Sequence, residues 1–241
     1  MDNELRYLEE FKQILANYHI SENSKQILTK TKLVLLLAPS GGGRNTVIRE
    51  LVKTGAYHFI VSDTTRRTRV NDDVVEQNGV EYWFRGEQEI LADLREGRFL
   101  EAELIHDQQV SGISIRELQK ANEENRIAIT DVDMGGLHNI VQAKPDVKAI
   151  MVLPPSFEEW QNRMLKRGEM NPEEHTRRLK TAVKIFNNAL KHNYFDFIIN
   201  DTLDGAVQQV QAIMNNTHLT SQKESRHLIE KLLASTKQHL R

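Results

Sequence analysis

The chain of 241 residues contains no cysteine, no excess of basic residues and no long apolar run. Without cysteine there is no thiolate metal site, no disulfide and no sulfur nucleophile, which suits a reducing cytoplasm. The 32 Lys and Arg against 34 Asp and Glu give a formal charge of −2, so the basic excess typical of nucleic-acid-binding proteins is missing. The apolar stretch 33–38 is too short to span a bilayer. We therefore expect a cytoplasmic globular protein with neither a nucleic-acid nor a membrane partner.

Both ends of the chain show helical patterns that differ from the middle. In residues 1–31 apolar side chains recur at helical spacing between charged ones, which predicts an N-terminal helical extension. Ser21 and its neighbours suit the cap of a short second helix. Residues 215–241 predict a C-terminal helical extension. These two extensions are candidates for docking onto the core, for self-association or for binding a protein partner.

The middle of the chain alternates short apolar runs with helical patterns. The runs are 33–37, 56–61, 127–132, 149–153 and 195–199. Continuous apolar strands separated by helices predict an α/β fold with a parallel sheet covered on both faces. Between the second and third runs, aromatic-rich segments 80–84 and 99–105 flank a helical pattern at 87–94, which predicts a small mixed α/β insert. Residues 156–192 predict charged helices broken near Gly168 and Pro172.

The first apolar run leads into a glycine-rich turn, Ala38 to Thr46, and then into a helical pattern. Such a turn points backbone N–H groups and the positive end of a helix dipole at a phosphate. Its spacing matches the P-loop pattern G-x-x-x-x-G-K-[ST]. Ala38, Arg44 and Asn45 replace the first Gly, the Lys and the metal-binding hydroxyl of that pattern. The turn by itself is equally consistent with a flexible glycine loop that binds no ligand.

Six further segments give the chain a family resemblance. They are Ser62–Arg69, Gly79–Phe84, Gly97–Glu101, Asp131–Asp133, Leu153–Ser156 and Ile199–Asp201. Their order and spacing resemble the guanylate kinase family, from roughly Lys32 to Val210. The resemblance implies a P-loop NTPase-type fold over 32–214, with a GMP-binding insert at about 62–114 and a helical lid at about 160–180.

The resemblance also implies which residues would bind GMP. These are Ser62, Arg66, Arg69, Tyr82, Glu101 and Asp131. Arginine forks suit a phosphate dianion because two parallel N–H donors meet two oxygens. A carboxylate at Glu101 selects guanine because guanine presents N1–H and an amine side by side as donors. The alternatives are a solvated charged face for the arginines and cross-strand aromatic packing for Tyr82.

On the donor side, the resemblance implies a phosphate loop, a metal-side acid and lid arginines. The ATP-binding candidates are Ser40, Gly41, Gly42, Gly43, Arg44, Asn45, Thr46 and Asn200. Arg44, Arg167 and Arg178 would neutralise the transferring phosphoryl group. Mg²⁺ would enter with ATP, with Asn45 and Asp133 on its side. Asn200 could equally cap the next helix, and Asp133 could begin a turn before Gly135.

The resemblance thus implies phosphoryl transfer from ATP to GMP, giving ADP and GDP. No general base is needed because the attacking phosphate oxygen is already ionised. The alternative is a catalytically impaired module that binds GMP or an anionic peptide, since Arg44 and Asn45 alter the phosphate loop. Two other departures are a lengthened loop at 70–78 and the absence of tyrosine at 108–114. A kinase acting on a phosphorylated ribose is disfavoured, because it would not need Glu101.

Overall fold

The computed structural model describes residues 5–71, 74–166 and 171–241. The helices are α1 (Leu8–Ala16), α2 (Glu22–Lys30), α3 (Arg44–Lys53), α4 (Glu87–Arg95), α5 (Ile115–Glu123), α6 (Met134–Ala143), α7 (Phe157–Leu165), α8 (Pro172–Lys191), α9 (Leu203–Met214) and α10 (Gln222–His239). The strands are β1 (Leu33–Leu37), β2 (Tyr57–Phe59), β3 (Asp63–Thr64), β4 (Val70–Asn71), β5 (Val74–Val75), β6 (Trp83–Phe84), β7 (Phe99–Ile105), β8 (Gln109–Ser114), β9 (Ile127–Asp131), β10 (Lys148–Leu153) and β11 (Phe195–Ile199). Within the described residues, none of these helices is both long and apolar enough to cross a membrane.

The central sheet has five strands in the order β11-β10-β1-β9-β2. β10 pairs in parallel with β1 on one side and with β11 on the other. All five residues of β1 and the last five of β10 are buried, as expected for strands covered on both faces. Helices α3, α9 and α10 pack against strands of this sheet, and α8 packs against α10. The predicted α/β fold class with a parallel sheet is confirmed.

A second sheet has four strands in the order β6-β3-β8-β7. β3 pairs in parallel with β6 and antiparallel with β8, and β7 pairs antiparallel with β8. The β7–β8 register shifts between Phe99 and Glu101, where Phe99 lies opposite Ser114 and Glu101 opposite Ile113. A shift of this kind is a β-bulge, which redirects the side chains that follow it.

The chain divides into two compact units. The first is drawn from Met1–Lys32, Tyr57–Ala128 and His138–Pro145, and the second from Leu33–Ala56, Ile129–Leu137 and Asp146–Arg241. The first unit contains the second sheet and the N-terminal helices. The second unit contains the glycine-rich loop and the C-terminal helix. We describe the candidate site of each unit separately.

The N-terminal helices pack against the second sheet within the first unit. Phe11 of α1 is fully buried in a cluster with residues of α4 and β7. Ser21 precedes α2 and its side chain accepts the Ser24 N–H, so this serine, one of the predicted cap candidates, caps the helix. Leu28 of α2 is also buried. Residues 5–31 are therefore part of the core of the first unit.

The C-terminal helix covers β11, the end strand of the central sheet. The side-chain amide of Gln222 accepts the Phe197 N–H at 2.9 Å and donates to the Phe197 carbonyl at 3.2 Å. Gln209 of α9 does the same for Ile199, at 3.0 and 2.9 Å. Two glutamines thus take the place of a neighbouring strand, which protects an edge that would otherwise invite pairing with another chain.

The structure differs from the sequence prediction in two segments. The predicted strand 80–84 shrinks to β6, because Gly79, at φ +80°, turns the chain and donates its N–H to the Tyr82 carbonyl at 2.8 Å. Helix α6 was not predicted, because its two glycines indicate a turn. Asp133 Oδ1 accepts the Gly136 N–H at 2.9 Å, and this contact stabilises the first turn of α6.

Candidate functional site

The glycine-rich loop of the second unit connects β1 directly to the N-terminus of α3. The Gly42 N–H donates to the Pro39 carbonyl at 2.9 Å, which closes a tight turn. Gly43 is the residue before α3 and adopts a left-handed φ of +92°, a conformation that strongly favours glycine. Both features place the N-terminus of α3 directly after the turn. The positive end of the helix dipole therefore borders the loop, as an anion site requires.

Two side chains from distant parts of the second unit hold this loop in place. The Trp160 indole N–H donates to the Ser40 carbonyl at 2.7 Å. The Asn200 Nδ2 donates to the Gly42 carbonyl at 2.9 Å, and Asn200 is buried. The structure thus places Asn200 against the loop, whereas Thr202 caps α9 by accepting the Gly205 N–H. The loop is a supported element of the fold.

Arg44 contacts both Asn45 and the end of β9. The Arg44 guanidinium forms an ion pair with the Asp131 carboxylate. Its Nε donates to the Asn45 Oδ1 at 3.1 Å. The structure therefore brings together two candidate phosphate-loop residues and one candidate guanine-side carboxylate. An incoming phosphate would have to compete with Asp131 for the Arg44 charge.

The acidic residues near this loop do not form a metal cage by themselves. Asp133 accepts a backbone N–H at the start of α6, as described above. Among the described residues, no group of three or more His, Asp or Glu side chains could hold a metal ion. Mg²⁺ binds through one or two carboxylates together with waters and substrate phosphates. Asn45 and Asp133 carry hard oxygens of the kind that such a limited role requires, although one oxygen of each already accepts a hydrogen bond, from Arg44 and from the Gly136 N–H.

The predicted lid arginines are only partly described. Arg167 lies outside the described residues. Arg178 Nε donates to Glu174 Oε1 at 2.7 Å, and hydrogen bonds from Arg178 and then Arg177 hold the pKa of Glu174 below its usual value. Arg163 donates to Glu159 at 2.8 Å and to the Asn200 carbonyl at 2.8 Å. Arg163 thus ties α7 to the segment that follows β11.

In the first unit, Arg66 is a buried arginine held by one carboxylate. Its guanidinium makes two hydrogen bonds to Glu76, at 2.5 and 2.7 Å, and only 6% of the Arg66 surface is exposed. The Arg69 backbone N–H also donates to Glu76, at 2.8 Å. Hydrogen bonds from Arg66, and then from the Arg69 backbone, hold the pKa of Glu76 at about 2, so the carboxylate stays ionised. Arg66 is fixed at one position and orientation.

Aromatic rings line the other side of Arg66. The guanidinium carbon lies 4.8 Å from the Tyr82 ring centre and 5.4 Å from the Phe84 ring centre. The two rings are 6.1 Å apart and tilted. The arrangement is a cation–π contact. Tyr82 therefore packs on a candidate phosphate-binding arginine, which places these two candidate residues side by side.

Ser62 lies at the entrance to β3, next to a buried ionic cluster that sequence reasoning missed. The Ser62 carbonyl accepts the Trp83 N–H at 2.9 Å. Asp63 is fully buried and accepts from Arg85 at 2.9 Å and from Arg116 at 2.8 Å. Burial raises the pKa of Asp63 even though both arginines oppose the shift. The sign of this cluster in the sequence is one acidic residue inside an arginine-rich stretch. Its partners Arg85 and Arg116 lie farther along the chain, so a local pattern cannot identify them.

A second missed residue is Glu117 of α5, which is buried. Its carboxylate accepts the Val61 N–H and the Trp83 indole N–H, both at 3.1 Å, and lies 3.4 Å from the His58 ring. Burial by itself raises the pKa of Glu117, but these contacts outweigh it and the net pKa is lowered. Glu117 thus anchors the strand segments that lead into and out of the arginine-rich stretch.

Glu101 lies in β7 immediately after the bulge. It lines a cavity of about 630 Å³ together with residues of β7, of α6 and of the N-terminal segment. A candidate guanine-reading residue is therefore part of a cavity wall, where ligand-binding side chains are usually found. Asp131, its predicted companion, belongs to the second unit.

The chain is similar to known proteins over most of its length. The guanylate kinase family model matches residues 30–217. The chain is 33% identical over 183 residues to the guanylate kinase of Caldanaerobacter subterraneus subsp. tengcongensis, covering 76% of this chain and 85% of that protein. It is 30% identical over 214 residues to the guanylate kinase of Pasteurella multocida, covering 86% and 100%.

A solved structure shares the fold. The crystal structure of guanylate kinase from Anaplasma phagocytophilum matches with a TM-score of 0.54 at 21% identity, covering 85% of this chain and 94% of that one. At this identity the likeness concerns the fold alone. The family model over residues 30–217 and the two relatives named above show that the chain is also similar to guanylate kinases in sequence. With a supported glycine-rich loop at the start of α3 and a held arginine in the insert, this chain belongs to the guanylate kinase family.

Proposed function

We infer that this chain transfers the γ-phosphoryl group of ATP to GMP. An oxygen of the GMP phosphate attacks the γ-phosphorus, the bond to the bridging oxygen breaks, and ADP leaves with the electron pair. GDP and ADP are the products. The attacking oxygen is already ionised, so the residues need to supply position and positive charge only. Mg²⁺ would enter with ATP and neutralise part of its phosphate charge, with Asn45 and Asp133 as the protein residues on its side.

The observation that carries this proposal is the support of the phosphate loop by Trp160 and Asn200. Their hydrogen bonds to the Ser40 and Gly42 carbonyls fix the loop conformation. A loop that had lost its ligand would have no need of two distant buried side chains to hold its backbone. The support therefore favours a working anion site in spite of Arg44 and Asn45.

Within this proposal the acceptor residues have separate roles. Arg66 and Arg69 bind the GMP phosphate, and Tyr82 holds Arg66 in place while offering its hydroxyl to the same phosphate. Ser62, Glu101 and Asp131 read the guanine edge. Arg66 is bonded to Glu76 through two hydrogen bonds, so phosphate binds to donors of Arg66 and Arg69 that Glu76 leaves available.

On the donor side, Ser40 to Thr46 surround the ATP phosphates and Asn200 lines the adenine end. Arg44, Arg167 and Arg178 neutralise the charge that develops during transfer. Loss of one such contact typically costs about two to three orders of magnitude in rate. Arg44 supplies this charge only when a phosphate displaces Asp131 from it.

The second candidate function is a binding module that takes GMP or an anionic peptide without turnover. One observation favours it: Arg44 is paired with Asp131 and bonded to Asn45. Arg44 and Asn45 are thus bonded to each other, and Arg44 is also paired with Asp131. If phosphate cannot displace these contacts, nucleotide binds without transfer.

The deciding experiment measures ADP formation from ATP, Mg²⁺ and GMP, with GMP affinity measured by calorimetry on the same protein. The wild-type chain is compared with the double variant Arg44→Lys, Asn45→Ser, which restores the P-loop pattern. Turnover by the wild type with GMP, and at least tenfold less with AMP, supports the kinase. GMP binding without turnover in the wild type, together with turnover in the double variant, supports the binding module. Absent GMP affinity, or unchanged affinity in Glu101→Ala, contradicts the guanine site.

A further inference from the structure

The hydroxyl of Tyr18 bonds to both peptide groups of one residue in β7. It donates to the Phe99 carbonyl at 2.7 Å and accepts the Phe99 N–H at 2.7 Å. β7 is the end strand of its sheet, and Tyr18 thus takes the place of a neighbouring strand at that residue. Burial, the largest cause, raises the pKa of Tyr18 to about 12, so the hydroxyl keeps the proton that the first hydrogen bond requires.

Two further contacts from the N-terminal segment hold the chain just before β7. The Ser21 N–H donates to the Gly97 carbonyl at 3.0 Å, and the buried Ser24 hydroxyl donates to the same carbonyl at 2.7 Å. Gly97 has a φ of +62°, and a Cβ there would lie 2.8 Å from the His19 carbonyl oxygen. A residue with a Cβ at position 97 would collide with the N-terminal segment, so the glycine allows the two segments to lie this close.

Glu101 follows Phe99 by two residues, across the β-bulge. At a bulge the regular ladder is interrupted, so the direction of the next side chain depends on the backbone conformation at that point. Tyr18 fixes the Phe99 side of this bulge through both of its polar backbone groups. The backbone two residues before Glu101 is thus held by a hydroxyl that lies 81 residues away in sequence from the residue it holds.

The N-terminal segment also reaches the space in front of Glu101. The cavity of about 630 Å³ that Glu101 lines is bounded on another side by Leu15, Tyr18, His19 and Lys25. An apolar wall beside a carboxylate and a cation suits a flat heterocycle with polar edges. The same segment that sets the Glu101 backbone therefore shapes the space where a base would bind.

We propose that the N-terminal segment 5–31 is part of the guanine-recognition site, with Tyr18 as the positioning residue for Glu101. The inference rests on the proposed function, in which Glu101 reads guanine. A purely structural N-terminal segment would change stability only. A positioning role changes the choice between bases, because a displaced carboxylate loses the guanine amine and N1–H as partners while phosphate contacts remain.

The test compares Tyr18→Phe with Tyr7→Phe in the full chain. Tyr7 is the matched control, because its hydroxyl lies in the same segment and accepts from the exposed Gln88 amide at 2.7 Å. Calorimetry gives the affinities for GMP and for IMP, which lacks the 2-amino group. For Tyr18→Phe we expect GMP affinity to fall about tenfold and IMP affinity to fall by a smaller factor, because IMP has only its N1–H to lose as a partner of Glu101. Tyr7→Phe keeps the wild-type ratio, and ATP affinity is the same in all three proteins.

A double-mutant cycle with Glu101→Gln separates this inference from the proposed function. If Tyr18 acts through Glu101, Tyr18→Phe has no further effect on the GMP-to-IMP ratio in the Glu101→Gln protein. If Glu101→Gln alone leaves that ratio unchanged, the proposed guanine site is wrong. If Glu101→Gln lowers the ratio and Tyr18→Phe does not, the positioning role is overturned.

A second variant keeps the proposal falsifiable if Tyr18→Phe does not fold. Ser24→Ala removes the hydroxyl bond to the Gly97 carbonyl, two residues before Phe99, and so loosens the same attachment of the N-terminal segment to the start of β7. A lower GMP-to-IMP ratio in a folded Ser24→Ala protein supports the proposal. An unchanged ratio in that protein overturns it.

Discussion

Arg44 of the phosphate loop is ion-paired with Asp131 at the end of strand β9, within one compact unit. Both side chains are partly exposed, at 24% and 36%, so water screens the pair and its net strength is modest. The pair is therefore weak enough for a phosphate to displace. Under the proposed function we expect it to set the ATP and GMP affinities against each other, because the same carboxylate is a candidate reader of guanine.

Asp131→Asn is expected to release the Arg44 charge for ATP. The KM for ATP should fall about two- to fivefold, the range that a partly exposed ion pair provides, and the KM for GMP should rise. Steady-state assays that vary each nucleotide in turn measure both values. Asp204→Asn, in the first turn of α9, is the control for loss of one negative charge. An unchanged KM for ATP would mean that the Asp131 pair does not compete with phosphate.

Glu76→Gln is expected to change stability in a pH-dependent way. The wild-type carboxylate has a pKa of about 2, below the usual glutamate value of 4.5. A lowered folded-state pKa stabilises the fold above the unfolded value, and that stabilisation is lost as pH falls from about 4.5 towards 2. The stability difference between wild type and variant should thus be full above pH 5 and should shrink below it.

Urea unfolding between pH 3 and pH 7 measures this difference. Glu81→Gln serves as the control, because Glu81 lies in the same loop and accepts only the Gln77 backbone N–H among the bonds described here. A Glu76→Gln difference that is constant over the whole pH range would contradict the prediction.

Gly43→Ala is expected to disturb the phosphate loop more than its backbone strain alone explains. Gly43 and Gly55 both have left-handed φ values, +92° and +77°, so alanine costs roughly 1–2 kcal/mol at either position. A Cβ at Gly43 would also collide with the Asn200 Nδ2, whereas at Gly55 nothing lies within 4 Å. Gly43→Ala should therefore lower ATP affinity at least tenfold, and Gly55→Ala should leave it unchanged.

Thermal unfolding and fluorescence titration with an ATP analogue measure the two effects of these glycine variants. Equal ATP affinities in Gly43→Ala and Gly55→Ala would show that the contact between Asn200 and the loop has no influence on nucleotide binding.

The two tryptophans provide a further matched pair. Trp160→Phe keeps most of the buried ring but removes the N–H that binds the Ser40 carbonyl. Trp83→Phe removes the N–H that binds Glu117 in the other unit. Each loss should cost about 1–3 kcal/mol of stability, because a buried acceptor loses a donor. Only Trp160→Phe should weaken ATP binding. Equal weakening by both would contradict a local role for Trp160.

Local sequence patterns predicted most of the central sheet and several helices. The runs at 33–37 and 195–199 agree with β1 and β11 residue for residue, because a strand buried on both faces leaves an uninterrupted apolar signature. Residue type indicated Ser21, Asn23 and Ser24 as candidates for the cap of α2, and only the structure shows that Ser21 is the cap. α6 was not predicted, because two glycines contradict helical propensity and only its packing and the Asp133 bond outweigh them.

The contacts of the candidate site could not be predicted in the same way. Glu76 holds Arg66 from ten residues away, and Tyr18 holds Phe99 from 81 residues away. No periodicity or motif pairs such residues, because their contact depends on how the chain folds back on itself.

The sequence by itself determined the family, the α/β class and the residue types available for phosphate and guanine. These follow from short-range spacing, which limits local backbone conformation and the chemistry of each turn. Only the tertiary structure decided that Arg44 meets Asp131, that Asn200 supports the loop instead of capping α9, and that the N-terminal segment belongs to the first unit. Such pairings result from packing and from satisfying buried polar groups across the whole chain.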